Sequence, residues 1–454
     1  MLFILLYPYL HKSVKEELRL FVKITNGNLY LKKRTFPEWA VCLVLFLPFT
    51  FSFFVELLNL PGIVNFIVDF VLMVMACLIV LKRPFRLSRN LLPIFTLVLF
   101  FLIYTFIVYL FNYQSILYYF WGFRNNFRFF VAFFIFASFV YEEAIKGYFK
   151  WLDILFWINF AVTLIQFVMG YKQDYLGGLF GVEKGCNAYM INFLLVIVVR
   201  SVLSFMNKTE NIFYCFSKCA VSLFISAVAE LKFFYVVFVI IVVMATFLTS
   251  FSWRKFALVL SVSAVTILSA LLLVTMFEHL KDFFSLETIW KVATQKNYAS
   301  DIDMNRFSSI PIISDIFLTD TPSRLFGMGL GNCDTSSISF FNTPFYDNYV
   351  DLHYSVFSLS FLYLETGFVG LFLYFTFFAL CFRFAYKNYK NKTGNLLFNQ
   401  MATIMSAICF ILIFYNSSLR TEAGYLIYFV LALPFIGARA DAEDETTKTL
   451  LIMK

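Results

Sequence analysis

Charge is what this sequence has least of. Asp, Glu, Lys and Arg make up 14% of its 454 residues, hydrophobic residues make up 61%, and the mean hydropathy is +0.80. A chain so poor in charge cannot clothe a soluble globule of this length, which excludes an ordinary soluble enzyme. The net charge of +8 does not bring nucleic acid back, because the basic residues lie in loops between apolar runs. Period-two alternation is also missing. The apolar runs are continuous over roughly 18 to 25 residues, which excludes a β-barrel and fits membrane helices.

Cysteine and histidine chemistry is thin. The eight cysteines (Cys42, Cys77, Cys186, Cys215, Cys219, Cys333, Cys381 and Cys409) form no CxxC and no Cys/His pair at metal-ligand spacing. They read as core residues, and no metal or other cofactor is expected. Only three histidines occur: His11, His279 and His353. The opening "MLFILLYPYL" lacks a basic n-region, so no cleavable signal peptide is expected. No internal repeat and no soluble domain is visible.

What is present is an all-α pattern of about twelve spans. They fall at Glu38–Asn59, Gly62–Leu81, Leu91–Phe111, Phe127–Tyr141, Trp151–Gly170, Asn187–Met206, Ile212–Ala229, Phe233–Phe251, Phe256–Phe277, Tyr354–Phe382, Phe398–Tyr415 and Thr421–Ile436. The expected organisation is a basic cytoplasmic segment (1–37), nine spans (38–277), one large extracytoplasmic loop (278–353), three spans (354–438) and a cytoplasmic tail (439–454). The fourth span is short, and the run from Tyr354 is long enough to hold a re-entrant piece. Lys and Arg set the orientation. With the N-terminus inside, the inner loops hold 24 of the 36 basic residues and the short outer loops hold 6. Trp39, Trp121, Trp151 and Trp253 then fall at interfaces, and both termini are cytoplasmic.

The basic residues on the wrong side of that rule are the candidates for a site. Arg124 and Arg128 in "FWGFRNNFRFF" are four apart, so a helix puts them on one face. Lys232 sits in the tight "AVAELKFFYV", at the outer rim or paired with Glu230, and Arg420 in the short turn "NSSLRTE". Each can be read as a headgroup contact or snorkelling side chain. Together with Arg306 and Arg324 they can also converge on one outward cavity suited to a diphosphate, whose oxygens guanidinium groups clamp.

The stretch "RLFGMGLGNCD" places Gly327, Gly329 and Gly331 in a row, but Asn332 replaces the third glycine of a dinucleotide fingerprint. It reads as a plain turn, or as a loop whose bare backbone approaches a ligand. His353 follows a polar run containing Asp351. It is either a satisfied interfacial residue or a base for removing a hydroxyl proton near neutral pH. Glu365, Gly367 and Gly370 mark a break or close helix packing in the next span.

This order resembles the O-antigen polymerase and O-antigen ligase superfamily: a large late external loop, "RLFGMGLGN", then "LHYSVFSLSFLYLETGFVGLFLY". The arginines of "FRNNFR" and the basic residue of "AELKFF" are similar in placement. Lys232 stands where the family often has Arg. The specific likeness covers about 60 late positions, in an architecture that extends over most of the chain.

The resemblance implies a C-type-glycosyltransferase-like membrane enzyme of the bacterial cytoplasmic membrane, acting on its outer face. Donor and acceptor would be undecaprenyl-diphosphate-linked oligosaccharides, with flippase and chain-length regulator proteins as partners, no nucleic acid and no metal. His353 would be the base. Arg124, Arg128, Lys232, Arg306, Arg324 and Arg420 would bind the diphosphate, with Asp351, Glu230 and Glu365 secondary. One base and direct attack imply inversion. The competing readings are a ligase of the same superfamily, and a lipid-linked oligosaccharide flippase or transporter. A transporter favours ionisable residues at the midplane and paired repeats, which this sequence does not show.

Overall fold

The computed structural model describes residues 22–25, 28–31, 36–58, 66–81, 89–171, 173–183, 185–249, 304–334 and 339–452. Strand β1 (Val22–Thr25) pairs antiparallel with β2 (Asn28–Leu31). The other regular elements among the described residues are helical. The first helices are α1 (Phe36–Leu58), α2 (Phe66–Leu81), α3 (Leu92–Phe111), α4 (Ile116–Phe139), α5 (Glu142–Val168), α6 (Asn187–Met206), α7 (Ile212–Val228) and α8 (Lys232–Phe247). Three short helices follow, α9 (Ser309–Ile316), α10 (Thr321–Phe326) and α11 (Pro344–Tyr349), and then α12 (Ser358–Asn391), α13 (Leu396–Tyr415) and α14 (Gly424–Ile452).

Eleven expected spans coincide with helices; the one at 256–277 lies outside the described residues, as do 278–303 and 335–338 of the expected loop. Helices α3, α5, α6, α12 and α13 are long and apolar enough to cross a membrane, and α1, α2, α7, α8 and α14 contain shorter apolar stretches. These are the helices of a membrane-embedded protein. The apolar window of α6 is 89% buried within the protein, against 28% for α3 and α5, so α6 is central and those two lie at the rim.

Helix termini carry backbone groups that lipid cannot satisfy, and the chain closes them locally. After α6, α7 and α12 a left-handed residue (Lys208, Glu230, Lys392) turns the chain back. Its own N–H and the next one then reach the last helical carbonyls, as in Leu231 N–H to Ser226 and Thr393 N–H to Asn388. Glu230 thus closes the tight turn before Lys232. Asn211 and Asn395 cap the starts of α7 and α13 through their side-chain oxygens.

Contacts sort the connections onto two ends of the bundle. At one end lie 112–115, 416–423 and the described residues of 169–186 and 304–357; Gln114 donates to the Leu330 carbonyl at 2.7 Å and Arg306 to the Tyr415 carbonyl at 3.0 Å. At the other end Arg439 donates to the carbonyls of Ala137, Ser138 and Val140, closing the end of α4, and Asn395 donates to Glu142. There Arg200, Asp153, Lys218 and Glu210 form a chain of ion pairs joining α5, α6 and α7.

The glycine row has a definite role. Helix α12 breaks at Gly367 (φ 61°, ψ −167°), which leaves the carbonyls of Leu364, Glu365 and Thr366 without helical partners. Met328 N–H, Gly329 N–H and the Tyr104 hydroxyl take them at 2.9, 2.9 and 2.6 Å. The loop lies backbone against backbone: a Cβ on Gly367 would stand 2.3 Å from the Leu325 carbonyl oxygen, and one on Gly331 1.9 Å from that of Tyr118 in α4. The bare backbone therefore approaches α4 and α12, where the sequence alone left open a plain turn or a ligand. Gly367→Ala is expected to destabilise by about 3 kcal/mol or more through left-handed strain and clash. Gly147→Ala, on an open face of α5, should be neutral or gain up to about 1 kcal/mol. Melting of both purified variants by size-exclusion after heating checks this; equal melting of the two would contradict the docking role.

Candidate functional site

The expected fourth span begins too late. Helix α4 starts at Ile116, so Arg124 and Arg128 are helical residues and not loop residues. At about 1.5 Å per residue they lie about 12 and 18 Å along a helix of about 36 Å. Trp121, Gly122 and Asn126 share the buried part of this stretch, and Arg128 itself is 9% exposed. A charge held so far from water needs counter-charges and hydrogen bonds close by.

They come from three elements. Asp69 on α2 accepts from Arg124 Nε at 2.9 Å and from its Nη2, and its other oxygen lies 3.7 Å from Arg128 Nη1. Glu422, on the turn between α13 and α14, lies 3.1 Å from Arg128 Nη1. Arg128 Nη2 donates to the Arg420 carbonyl at 3.4 Å, and Arg420 Nε donates to Asn126 at 3.1 Å. Ring faces enclose the cations: Arg124 lies over Phe66 and Trp121, Arg128 over Phe129, and Arg420 3.4 Å from the Phe361 centroid. Two carboxylates thus face the guanidinium groups of Arg124 and Arg128, and Arg420 joins them through its backbone carbonyl on Arg128 and its side chain on Asn126.

The turn bearing Arg420 and Glu422, which includes a short 3-10 turn at Ser418–Arg420, dips into the protein. Ser418 and Leu419 are fully buried, which lipid-exposed backbone cannot be. Asn192 of α6 clamps it by donating to the Ser418 carbonyl and accepting from its hydroxyl, each at 3.0 Å. The Asn416 carbonyl accepts both the backbone N–H and the hydroxyl of Ser358 at the start of α12.

The loop closes the other side. Asn125 donates to Asp334 at 2.7 Å. Glu365 is fully buried; one oxygen accepts Gly331 N–H at 2.9 Å and Cys333 N–H at 3.3 Å. Burial, and then the nearby Glu365 and Asp334, push the Cys333 thiol well up from its usual range. Among the described residues the second Glu365 oxygen has no hydrogen-bond partner.

Of the six basic residues expected at a diphosphate site, these contacts bring Arg124, Arg128 and Arg420 together. Arg324 instead donates to the carbonyls of Leu318 and Ser314, stapling α10 to the end of α9. Arg306 spends its Nε on Tyr415 and lies over the rings of Tyr415 and Phe357. Lys232 opens α8. His353 is exposed in a left-handed conformation (φ 55°, ψ 22°), between two short 3-10 turns, and Asp351 in the first of them is exposed too. The backbone on either side is fastened. Met304 N–H reaches the Leu352 carbonyl at 3.3 Å, and the buried Tyr354 donates to the Cys333 carbonyl at 2.6 Å.

Sequence reading missed Asp69, Asn125, Asn126, Asp334 and Glu422. Asp69 had a signal: a carboxylate inside an apolar run implies a partner cation. Comparison with known proteins finds no matching family model, no matching curated protein and no matching solved structure.

Asp69→Asn and Arg124→Gln should each destabilise by about 1–3 kcal/mol, since each leaves a partner charge unmatched in a mostly buried place. The double variant should lose less than the sum, with a coupling on the order of 1–2 kcal/mol. Melting temperatures of the four proteins test the cycle, and strictly additive losses would show that the pair does not act as a unit.

Proposed function

We propose that the chain is a polytopic membrane glycosyltransferase of about twelve spans, both termini cytoplasmic, working at the outer face of a bacterial cytoplasmic membrane. It transfers a glycan from undecaprenyl diphosphate to a hydroxyl of another lipid-linked repeat unit, and so polymerises a surface polysaccharide. The observation that carries this reading is the trio Arg124, Arg128 and Arg420, held together at the end of the bundle where the 304–357 segment packs. The resemblance in the late motifs supplies the substrate class.

In the proposed reaction the acceptor oxygen attacks the anomeric carbon and the bond from that carbon to the diphosphate oxygen breaks. The diphosphate leaves on its lipid carrier with its charge against the arginines, a form of transition-state stabilisation that positioned cations provide. His353 takes the acceptor proton. A single displacement inverts the anomeric centre. A ligase attaching finished glycan to a terminal acceptor uses the same chemistry; a flippase is the other alternative, and the charge of Arg128 about half-way along α4 is a feature it would share.

Purified protein in liposomes, given a lipid-diphosphate oligosaccharide, should extend it and continue in excess chelator. His353→Ala and Arg420→Ala should lose about 100-fold or more of that activity while eluting as the parent does. Undiminished chain growth with His353→Ala removes the base assignment, and strict metal dependence removes the scheme. Long chains accumulating on the lipid carrier in a deletion strain would assign a ligase instead.

A further inference from the structure

This inference rests on the reading of the arginines as a diphosphate site and concerns how an anion gains access to Arg128. The side chain of Arg128 is 8% exposed. Its Nη1 is taken by Glu422 and approached by Asp69, and its Nη2 by the Arg420 carbonyl. Its Nε is buried without a hydrogen-bond partner among the described residues, as are Asp69 Oδ1 and the hydroxyl of Tyr425, whose ring lies 5.7 Å from the guanidinium. Orphaned buried polar atoms of both signs around one cation are what a polar occupant would satisfy. An external anion that pairs with Nη1 of Arg128 therefore does so by replacing one of its two carboxylates.

The two are not equally held. Asp69 is fixed by two bonds from Arg124 and is 16% exposed on its side chain. Glu422 has a side chain 39% exposed and makes one ion pair among the described residues, from a turn followed at once by Gly424. We propose that Glu422 is a surrogate anion: its carboxylate occupies the place on Arg128 that a phosphoryl oxygen of the diphosphate takes, and it returns when the diphosphate leaves. Asp69 remains as the fixed counter-ion that holds Arg124 and Arg128 at a common spacing. Glu422 is then a positioning residue that keeps a buried cation neutralised between turnovers and makes binding an exchange of anions.

Inorganic pyrophosphate is the probe, titrated calorimetrically into the full chain in phosphatidylcholine nanodiscs. Glu422→Gln should bind it about tenfold tighter than the parent, because no carboxylate competes for Arg128. Arg128→Gln should bind weakly, and Glu422→Gln combined with Arg128→Gln should show none of the tightening. Glu422→Ala gives the same comparison if the glutamine variant does not elute as a single species. Affinity unchanged within twofold, or weakened, in Glu422→Gln overturns the inference while leaving the arginine site standing. No pyrophosphate binding by parent or variant overturns both. A tightening that disappears when phosphatidylglycerol replaces phosphatidylcholine assigns the place to a lipid headgroup and overturns the diphosphate assignment. Pyrophosphate exchange as expected without any glycan transfer overturns the proposed reaction alone.

Discussion

A guanidinium cannot lose its charge, and Arg128 keeps one about half-way along a helix whose buried residues are otherwise mostly aromatic and aliphatic. The rest of this end of the molecule follows from that constraint. The charge needs carboxylates, so Asp69 comes in from α2 and Glu422 from the turn after α13. The turn must then descend into the bundle, and its backbone must be satisfied there, which Asn192 and Ser358 accomplish. Arg420 is carried along and comes to rest on Asn126 and Phe361.

A second constraint is the broken helix. Three carbonyls freed at Gly367 in a membrane-length helix cannot be left to lipid. Met328 and Gly329 of the loop supply two donors and the Tyr104 hydroxyl of α3 the third, while the Gly331 and Cys333 N–H groups hold the Glu365 carboxylate. Close approach on both sides demands glycine at Gly122, Gly331 and Gly367, because each would set a Cβ against backbone. The loop is thereby locked to α4 through Asn125 and Asp334, beside the arginines. The loop and the charged cluster become one unit, with His353 at its exposed margin.

Much of the helical architecture was legible in the sequence because apolar length is a strong signal. The break around Glu365 and Gly367 was legible as well, since a carboxylate and two glycines interrupt a continuous run. Arg124 and Arg128 were singled out correctly as a pair on one face, yet assigned to a loop. Their charge lowered the local hydropathy and hid the first turns of α4. The partners were not legible. Nothing local links Asp69 to Arg124, 55 positions away, or Arg420 to Asn126, 294 positions away. Arg306 and Arg324 matched the charge criterion, but they serve backbone carbonyls of their own segment and its neighbour, a role composition cannot distinguish from ligand binding.

The account turns on Arg128 as the buried end of an anion site whose resting occupant is the protein's own carboxylate. A cryo-electron microscopy structure of the full chain with a polyprenyl-diphosphate oligosaccharide bound tests this most directly. The account predicts phosphoryl oxygens within hydrogen-bonding distance of Arg124 and Arg128, with Glu422 turned out of its present pairing and Asp69 unmoved. A diphosphate held elsewhere, with Arg128 still paired to Glu422, would contradict it.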